Sequence, residues 1–293
     1  MGSALTTVLL PLALAVVMFG LGLSLTVGDF VRIGRHPKPV VIALALQLLV
    51  LPALCFGLVV LFDLPPLLAV GMLLLAASPG GTTANLFSHL FRGDVALNIS
   101  LTAVNSLIAV VTLPVVTNLA IAVFDPAEGG EIGLQFGKTV QVFAVVLVPV
   151  AVGMLVRRRA AGFADRMDRP VRVLSAVVLA AVIVGTIVAE RENVAGYLAD
   201  VGLPALVFCL LSLGTGLLVP RLLGVEQRQA IASAFEIGVH NGTLAIAVAI
   251  SVLGSVELAV PAAVYSVLMF PVAALFGWAV TSRSTRAAVT GAP

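Results

Sequence analysis

The sequence predicts an all-α polytopic membrane protein with about nine transmembrane helices. Of its 293 residues, 60% are hydrophobic and 10% are charged, and the mean hydropathy is +1.18. Soluble domains carry about a quarter charged residues, so this chain could not cover its surface in water. Its apolar runs reach roughly 20 residues, the length at which a helix, not a β-strand, crosses a bilayer. The lipid bilayer is therefore the first predicted partner.

Apolar spans follow one another along the whole chain. No stretch between them has the composition of a soluble domain, so we expect residues 1–293 to form a single transmembrane domain. Both cysteines lie in apolar runs and fit small core residues better than a disulfide or a metal site. The nine predicted spans lie near 4–28, 39–62, 66–91, 95–124, 133–156, 171–189, 201–220, 230–254 and 258–281.

The charges between the spans predict the orientation. Of the 16 Lys and Arg residues, all but two lie in the first loop, in the loop after span 5, or after spans 3, 7 and 9. The exceptions, Lys138 and Arg191, fall on the side that holds most of the loop acids. Lys and Arg concentrate on the cytoplasmic side of membranes. We therefore expect a multi-pass protein of the plasma (inner) membrane, with its N-terminus outside and its C-terminus in the cytoplasm.

Glu236 is the one acidic residue predicted to lie within the membrane. It belongs to span 8, in the segment AFEIGVHNGTLAIA of residues 234–247. An ionisable side chain at that depth costs roughly 2.5–3.5 kcal/mol even on the lenient insertion scale. Glu236 could be a structural acid that burial keeps protonated. Because it lies beside a helix break, a role in binding a coupling ion is the favoured interpretation.

Span 3 carries a strong signal for an interrupted helix at its middle, in the sequence SPGG. Pro79 removes a backbone donor and clashes with the preceding turn, and Gly80 and Gly81 release the backbone from its helical preference. A single proline usually makes only a kink. Unwound backbone at membrane depth survives only where it is buried or lines a polar cavity. This pattern therefore favours a functional break.

Span 8 repeats the arrangement in the opposite direction through the membrane. Gly81 lies 33 residues before Pro114, and His240 lies 31 residues before Pro271. Two interrupted helices of opposite direction suggest inverted-topology repeats. Spans 1–4 then pair with spans 6–9, and span 5 has no partner. The residues at the second break are Gly238 and Gly242, with Val239, His240 and Asn241 between them.

This architecture predicts a secondary transporter whose site lies at the repeat interface. Half-helix N-termini carry roughly half a positive charge and suit an anion. Side-chain oxygens and released carbonyls suit a hard cation such as Na⁺. With no Lys or Arg in the presumed cavity, helix ends and hydroxyls would hold the anion. The substrate candidates are Thr82, Thr83 and Asn241, although the threonines could instead bond back to their own helix.

Three segments carry a family resemblance. SPGGTTANLFSHLFRGDVALNISLT (78–102) and EIGVHNGTLAIA (236–247) resemble the two crossing-helix motifs of the bile acid:sodium symporter family. VVIALALQLLVLPA (40–53) is similar to a third family segment. Order and spacing fit along nearly the whole chain. Members have ten or nine helices, and nine arises by loss of the first, which matches the missing repeat partner.

The resemblance implies a panel domain and a core domain. The panel would comprise about 4–28 and 133–189, and the core about 39–124 and 201–281, with spans 3 and 8 crossing at their breaks. It also implies a sodium-coupled symporter that imports a small organic anion by alternating access. The anion would be bile-acid-like, pantoate-like or an oxo acid. Na⁺ would be the coupling ion, and no other cofactor is expected.

The family's sodium ligands carry over onto this chain with three departures. Asn98 stands where the family often has serine, and it still offers an oxygen. Ala84 stands where a serine ligand is common, and His240 stands where glutamine is common. Gln47 could alternatively be helix-packing glue. The first sodium site would use Asn85, Asn98, Thr102 and Glu236. The second would use Gln47, Glu236, the carbonyls of Ile237 and Val239, and His240.

His240 has three open interpretations. It could replace a sodium ligand, carry a proton in place of one ion, or donate a hydrogen bond to substrate or backbone. The alternative function is therefore a proton-coupled or uncoupled organic-anion carrier that uses Glu236 and His240. An enzyme is disfavoured, because the chain has neither a second histidine or cysteine cluster at ligand spacing nor a G-x-S-x-G motif. No nucleic-acid partner is expected. One chain contains both repeats and should suffice as a monomer. Asn105, Ser106 and Tyr265 are candidates for lining the cavity.

Overall fold

The computed structural model describes residues 37–126, 136–167 and 194–290, with single residues between 15 and 34 and between 170 and 177. All regular secondary structure in this part of the chain is helical. Predicted spans 1 and 6 lie almost entirely outside the described residues, so the panel domain stays a prediction. In chain order the helices are α1 (Pro37–Ala45), α2 (Leu51–Leu61), α3 (Pro66–Ala76), α4 (Thr82–Leu90), α5 (Val95–Phe124), α6 (Phe136–Arg159), α7 (Val194–Leu222), α8 (Gln227–Gly238), α9 (Gly242–Ser251) and α10 (Val260–Thr290).

Four continuous helical stretches of the described part are long and apolar enough to cross a membrane. They are Pro37–Leu61, Val95–Phe124, Gly196–Leu222 and Glu257–Ser282. The first contains α1, a π-helical turn at Leu46–Val50 and α2. These stretches coincide with predicted spans 2, 4, 7 and 9, so a polytopic helical membrane protein is the observed class. The total of nine spans remains a prediction.

Both predicted helix interruptions are present. Span 3 divides into α3 and α4, and span 8 divides into α8 and α9. At the first break the backbone is extended at Gly81, with φ −117° and ψ 178°. At the second, Val239 leaves helical geometry with φ −113° and ψ 80°, and the Asn241 side chain accepts the Leu244 N–H to start α9.

The helix ends are specified by local chemistry. Pro65 and Pro66 begin α3, where a missing backbone donor is tolerated. The carboxylate of Asp94 accepts the Leu97 N–H at 3.0 Å and starts α5. At the end of α4, Arg92 adopts a left-handed φ of 60°, and the Gly93 N–H closes back onto the Ser88 carbonyl at 2.7 Å.

The second half of α8 is buried, whereas the long helix α5 exposes an apolar face. Every residue of α8 from Ala230 to Gly238 is buried. On α5, by contrast, large apolar side chains at intervals of four residues are more than half exposed, which marks a lipid-facing stripe. They are Leu107, Val111, Val115 and Leu119.

Gly216 sets the close approach of α7 to α8. A Cβ at this position would lie 2.7 Å from the Cα of Ala234 and 2.7 Å from Cγ1 of Ile237. The Ala234 atom belongs to the backbone, so it cannot rotate away. Two residues earlier, a Cβ on Gly214 would meet nothing within 4 Å. The glycine requirement is therefore specific to one position on this helix.

We predict that Gly216→Ala lowers the free energy of unfolding by about 1–3 kcal/mol, the cost of forcing extra volume into a packed contact. The measurement is unfolding of the purified protein in mixed micelles. Gly214→Ala is the matched control and should leave stability unchanged or raise it, since alanine is the better helix former. Equal effects of the two substitutions would contradict the close contact.

Candidate functional site

The two helix breaks lie against each other at the centre of the described fold. Gly80 and His240 form an isolated antiparallel bridge, and the Asn241 N–H donates to the Pro79 carbonyl at 2.8 Å. In a continuous helix that N–H would bond to the carbonyl of Ile237, four residues earlier. Where the two breaks meet, which we call the crossing, the Pro79 carbonyl takes this N–H instead. The Ile237 carbonyl, next to Glu236 in the chain, is thereby released from its helical bond.

Glu236 lies fully buried near the end of α8, and donors converge on its carboxylate. Oε2 accepts from the Thr102 hydroxyl at 2.5 Å, and Oε1 accepts from Asn105 Nδ2 at 3.0 Å. The backbone of Gly80 packs directly against this carboxylate, since a Cβ there would lie 2.6 Å from Oε2. Groups from α5 and from the first break thus fix the position of a residue on the second broken helix.

The Thr102 hydroxyl stands between two acceptors. Besides Glu236 Oε2, the Asn98 carbonyl lies 3.0 Å from it. A hydroxyl has one proton to donate and can also accept. With an ionised carboxylate, Thr102 donates to Glu236. With a protonated one, Glu236 donates to Thr102, which turns its own proton to Asn98. The contact therefore serves both protonation states.

One face of α5 supplies most of the predicted first sodium site. Asn98, Thr102 and Asn105 are spaced by four and three residues, which places them on one side of the helix. Asn98 Nδ2 donates to the Ala232 carbonyl at 2.7 Å and ties α5 to α8. The side-chain oxygens of Asn98, Asn105 and, on α4, Asn85 are buried without a hydrogen-bond partner in the described part of the chain. Amide and carboxylate oxygens are the ligands that hard cations prefer.

The structure joins three of the four predicted first-site residues. Asn98, Thr102 and Glu236 form a connected hydrogen-bond chain, whereas no hydrogen bond links the Asn85 side chain to it. Asn105 makes a direct contact with Glu236 that the sequence-based site did not include. The sequence offered one indication of this contact, since Asn105 lies three residues after Thr102 and therefore on the same face of α5.

A second group gathers around the Ser78 carbonyl, which the break leaves without the backbone donor that a continuous helix would supply from four residues further on. Gln47 Nε2 donates to it at 3.0 Å and to the Ala76 carbonyl at 3.1 Å, and His240 Nδ1 lies 3.0 Å from it. A carbonyl oxygen only accepts, so Nδ1 carries a proton and Nε2 of the neutral ring keeps its lone pair. His240 Nε2 and Gln47 Oε1 are both buried without a partner in the described residues.

Gln47 owes its position to the π-helical turn at Leu46–Val50. Pro52 follows this turn and has no N–H to donate to the Leu48 carbonyl, which favours a local departure from α-helical bonding. Such turns occur frequently at functional sites. The amide of Gln47 is buried, whereas Leu49, two residues on, is exposed.

Two aromatic side chains enclose the His240 ring. Phe208 stacks on it with a centroid separation of 5.5 Å, and Tyr265 approaches edge-on at 5.4 Å. The Tyr265 hydroxyl donates to the Gly238 carbonyl at 2.9 Å. Both are fully buried, so the imidazole plane is fixed. From the sequence, Tyr265 was predicted only to line the cavity, and Phe208 had no predicted role. The long sequence separation leaves no local signal for either contact.

The predicted substrate residues lie where α4 and α9 begin. Thr83 is half-buried in the first turn of α4. Asn241 is half-buried and caps α9 through its Oδ1, which accepts the Leu244 N–H at 3.1 Å. The side chain of Thr82 lies outside the described part. Substrate contact by these three residues stays a prediction.

Comparison with known proteins gives a family match and several relatives. The model of the Sodium Bile acid symporter family matches residues 11–197. An uncharacterized sodium-dependent transporter of Bacillus subtilis (strain 168), YocS, is 29% identical over 260 residues, which are 87% of this chain and 77% of that protein. The probable sodium/metabolite cotransporter BASS1, chloroplastic, of Arabidopsis thaliana is 28% identical over 260 residues, 87% of this chain and 62% of that protein. The ileal sodium/bile acid cotransporter of Homo sapiens is 26% identical over 246 residues, 83% and 69% of the two chains.

We predict that Gly80→Ala disrupts the crossing. Its Cβ would lie 2.5 Å from the Glu236 carbonyl oxygen and 2.6 Å from the carboxylate, so the two broken helices must separate. Loss of about 1–3 kcal/mol of unfolding free energy is expected. Gly81→Ala is the matched control, because its Cβ would meet only ordinary contacts of 3.9–4.0 Å with Asn241. Thermal unfolding of both variants checks this, and an equal loss in both would refute the contact argument.

Proposed function

Because the chain belongs to the Sodium Bile acid symporter family, we propose that it imports a small organic anion together with Na⁺ by alternating access. The relatives are named as sodium-dependent transporters and as sodium/metabolite or bile acid cotransporters. Those names point to a transporter rather than an enzyme. The substrate class remains the one that the sequence suggests: a bile-acid-like, pantoate-like or oxo acid.

The observation that carries the proposal is the cluster of buried oxygens around Glu236. Glu236 and the hydroxyl of Thr102 lie in direct contact, with the unpartnered oxygen of Asn98 one helical turn away on α5. A buried polar atom without a partner costs free energy, which a cation that the oxygens coordinate would recover. Asn85 completes the set from α4. Asn105 orients the carboxylate.

A second sodium ion would occupy the group around the Ser78 carbonyl. Gln47 Oε1 and the released carbonyl of Ile237 supply oxygens, with Glu236 shared between the two ions and the carbonyl of Val239 close by in the chain. His240 contributes the lone pair of Nε2. A nitrogen ligand is weaker for Na⁺ than an oxygen, so we expect this to be the lower-affinity site.

The organic anion would bind where the two half-helices begin. The N-termini of α4 and α9 both lie at the crossing, and their dipoles favour negative charge there. Thr82, Thr83 and Asn241 would supply hydroxyl and amide contacts. With Na⁺ bound nearby, the site has its positive charge without a Lys or Arg side chain. Movement of the core relative to the rest of the protein would then expose the crossing to each side in turn.

One observation favours the alternative of a proton-coupled carrier. Because Thr102 lies between Glu236 and the Asn98 carbonyl, the carboxylate can take up a proton without losing its hydrogen bond. Glu236 could therefore carry H⁺ in place of Na⁺, with His240 as a second acceptor. The two coupling modes differ in which ion stabilises the protein.

We predict that Na⁺ stabilises the purified protein and that Glu236→Gln abolishes the effect. At about 100 times its Kd, a ligand raises the free energy of unfolding by roughly 2.7 kcal/mol. The measurement is the thermal midpoint against Na⁺, with K⁺ or choline holding the ionic strength constant. Glu226→Gln is the control, because Glu226 is exposed and only ten residues earlier in the chain.

A Na⁺-specific rise in wild type and Glu226→Gln, absent in Glu236→Gln, is the expected result. A midpoint that depends on pH but not on Na⁺ would instead support the proton-coupled alternative. A Na⁺ effect that survives in Glu236→Gln would remove Glu236 from the ion site.

We predict that His240→Gln keeps the Na⁺ response and that His240→Phe weakens it at least about tenfold, since one lost ligand is worth about 1.4 kcal/mol or more. Glutamine can donate to Ser78 and still present an acceptor, whereas phenylalanine fills the volume without either. Tyr265→Phe is the control, because it removes only the bond to Gly238. Equal Na⁺ affinities in His240→Phe and wild type would show that His240 binds no ion.

A further inference from the structure

A cavity of about 580 Å³, lined by apolar and charged side chains, lies away from the crossing, where the ends of three helices meet the side of α10. It is formed by the end of α4, the segment that leads into α5, the first turn of α8 and the last part of α10. This volume is within the range of small-ligand sites. Its polar lining residues are His89, Arg92, Gln227, Arg228 and Thr281.

The cavity carries a net positive charge. Arg92 and Arg228 are exposed, and neither forms an ion pair in the described part of the chain, where the one salt bridge joins Arg157 and Asp165. The nearest acids in sequence are Asp94, whose carboxylate caps α5, and Glu226, which is exposed; neither lines the cavity. The positive end of the α8 dipole adds to the field.

The backbone holds the two arginines together. The Asp94 N–H donates to the Arg228 carbonyl at 2.9 Å, which joins the end of α4 to the start of α8. Gly93 lies between these segments, and a Cβ there would meet Ile231 at 3.1 Å and the hydroxyl of Ser88 at 3.2 Å. That hydroxyl is buried and has no partner in the described residues. The backbone segments that carry Arg92 and Arg228 are therefore fixed relative to each other.

Exposed apolar side chains lie close in the chain to residues that line the cavity. Trp278, one turn before Thr281 on α10, is 66% exposed, and Leu90 and Leu275 are 59% and 68% exposed. Tryptophan concentrates where hydrocarbon meets the headgroup layer. Arg228 precedes Glu236 by eight residues of α8, about 12 Å along the helix axis, so this cavity is separate from the crossing. A ligand here can have an apolar part outside the cavity, in the lipid.

We propose that this cavity binds a phosphate group and that the headgroup of an anionic phospholipid is its source. Two guanidinium groups that line one cavity can bind the oxygens of a phosphate together. Basic pockets between helix ends bind anionic headgroups in other membrane proteins. The exposed Trp278 and leucines beside the cavity favour a lipid over free phosphate. This site does not depend on which ion or substrate the crossing binds.

The test uses the full-length protein in neutral-detergent micelles, with the thermal midpoint as readout and Na⁺ held constant. One arm adds phosphatidylglycerol, a second adds phosphatidylcholine, and a third adds inorganic phosphate without lipid. The variant is Arg92→Gln with Arg228→Gln, and Arg228→Gln alone serves if the double variant is poorly folded. The control is Arg221→Gln, an exposed arginine at the end of α7 that does not line the cavity.

The expected result is a midpoint rise with phosphatidylglycerol but not with phosphatidylcholine, at an affinity about thirtyfold weaker in the double variant and unchanged in Arg221→Gln. Inorganic phosphate should reproduce little of the rise. If phosphate alone saturates the effect and phosphatidylglycerol adds nothing, the cavity is a phosphate site filled from solution and the lipid assignment is wrong. Equal phosphatidylglycerol affinity in wild type and in the arginine variants would overturn the site.

Discussion

The structure depends on how two unwound backbone segments are satisfied inside an apolar fold. Each unpaired backbone group in hydrocarbon costs several kcal/mol, so a break is tolerated only with partners. Here each break supplies part of what the other needs, through the Asn241 N–H and the Pro79 carbonyl. The Ser78 carbonyl takes its donors from Gln47 and His240. The polar side chains at the crossing are thus a consequence of the breaks, and the same groups that stabilise the fold face the candidate ion sites.

This shared use explains why Glu236 can be buried at all. Its carboxylate accepts from a hydroxyl and an amide of α5, and the backbone of the first break packs against it at Gly80. Gly80 permits that approach because any Cβ would occupy the place of the carboxylate. The network binds the end of α8 to α5 in either protonation state. An ion that enters or leaves therefore changes the charge at the crossing without removing the contacts that position it.

Local features of the sequence were enough to predict the two helix breaks and the buried acid beside the second break. Proline, paired glycines and one carboxylate in an apolar run are properties of short segments, and the structure places both interruptions where those residues stand. The partners of these groups depend on packing between distant segments. Phe208 stacks on His240 and Tyr265 meets it edge-on, both from other helices, and no spacing in the sequence links them to it. The π-helical turn that directs Gln47 inward could not be predicted either, because Pro52 indicates only that the helix is kinked and not which helical geometry the kink adopts.

The histidine at position 240 follows from the same need for a donor. Where the family resemblance leads one to expect glutamine, an amide would donate through nitrogen and present its oxygen. A neutral imidazole protonated at Nδ1 does both tasks as well, since it donates to Ser78 and presents Nε2 on its other side. Phe208 and Tyr265 prevent the ring from turning, so the lone pair has one direction. The substitution therefore conserves the hydrogen-bond pattern of the break and changes only the atom that would face the proposed second ion, from oxygen to nitrogen.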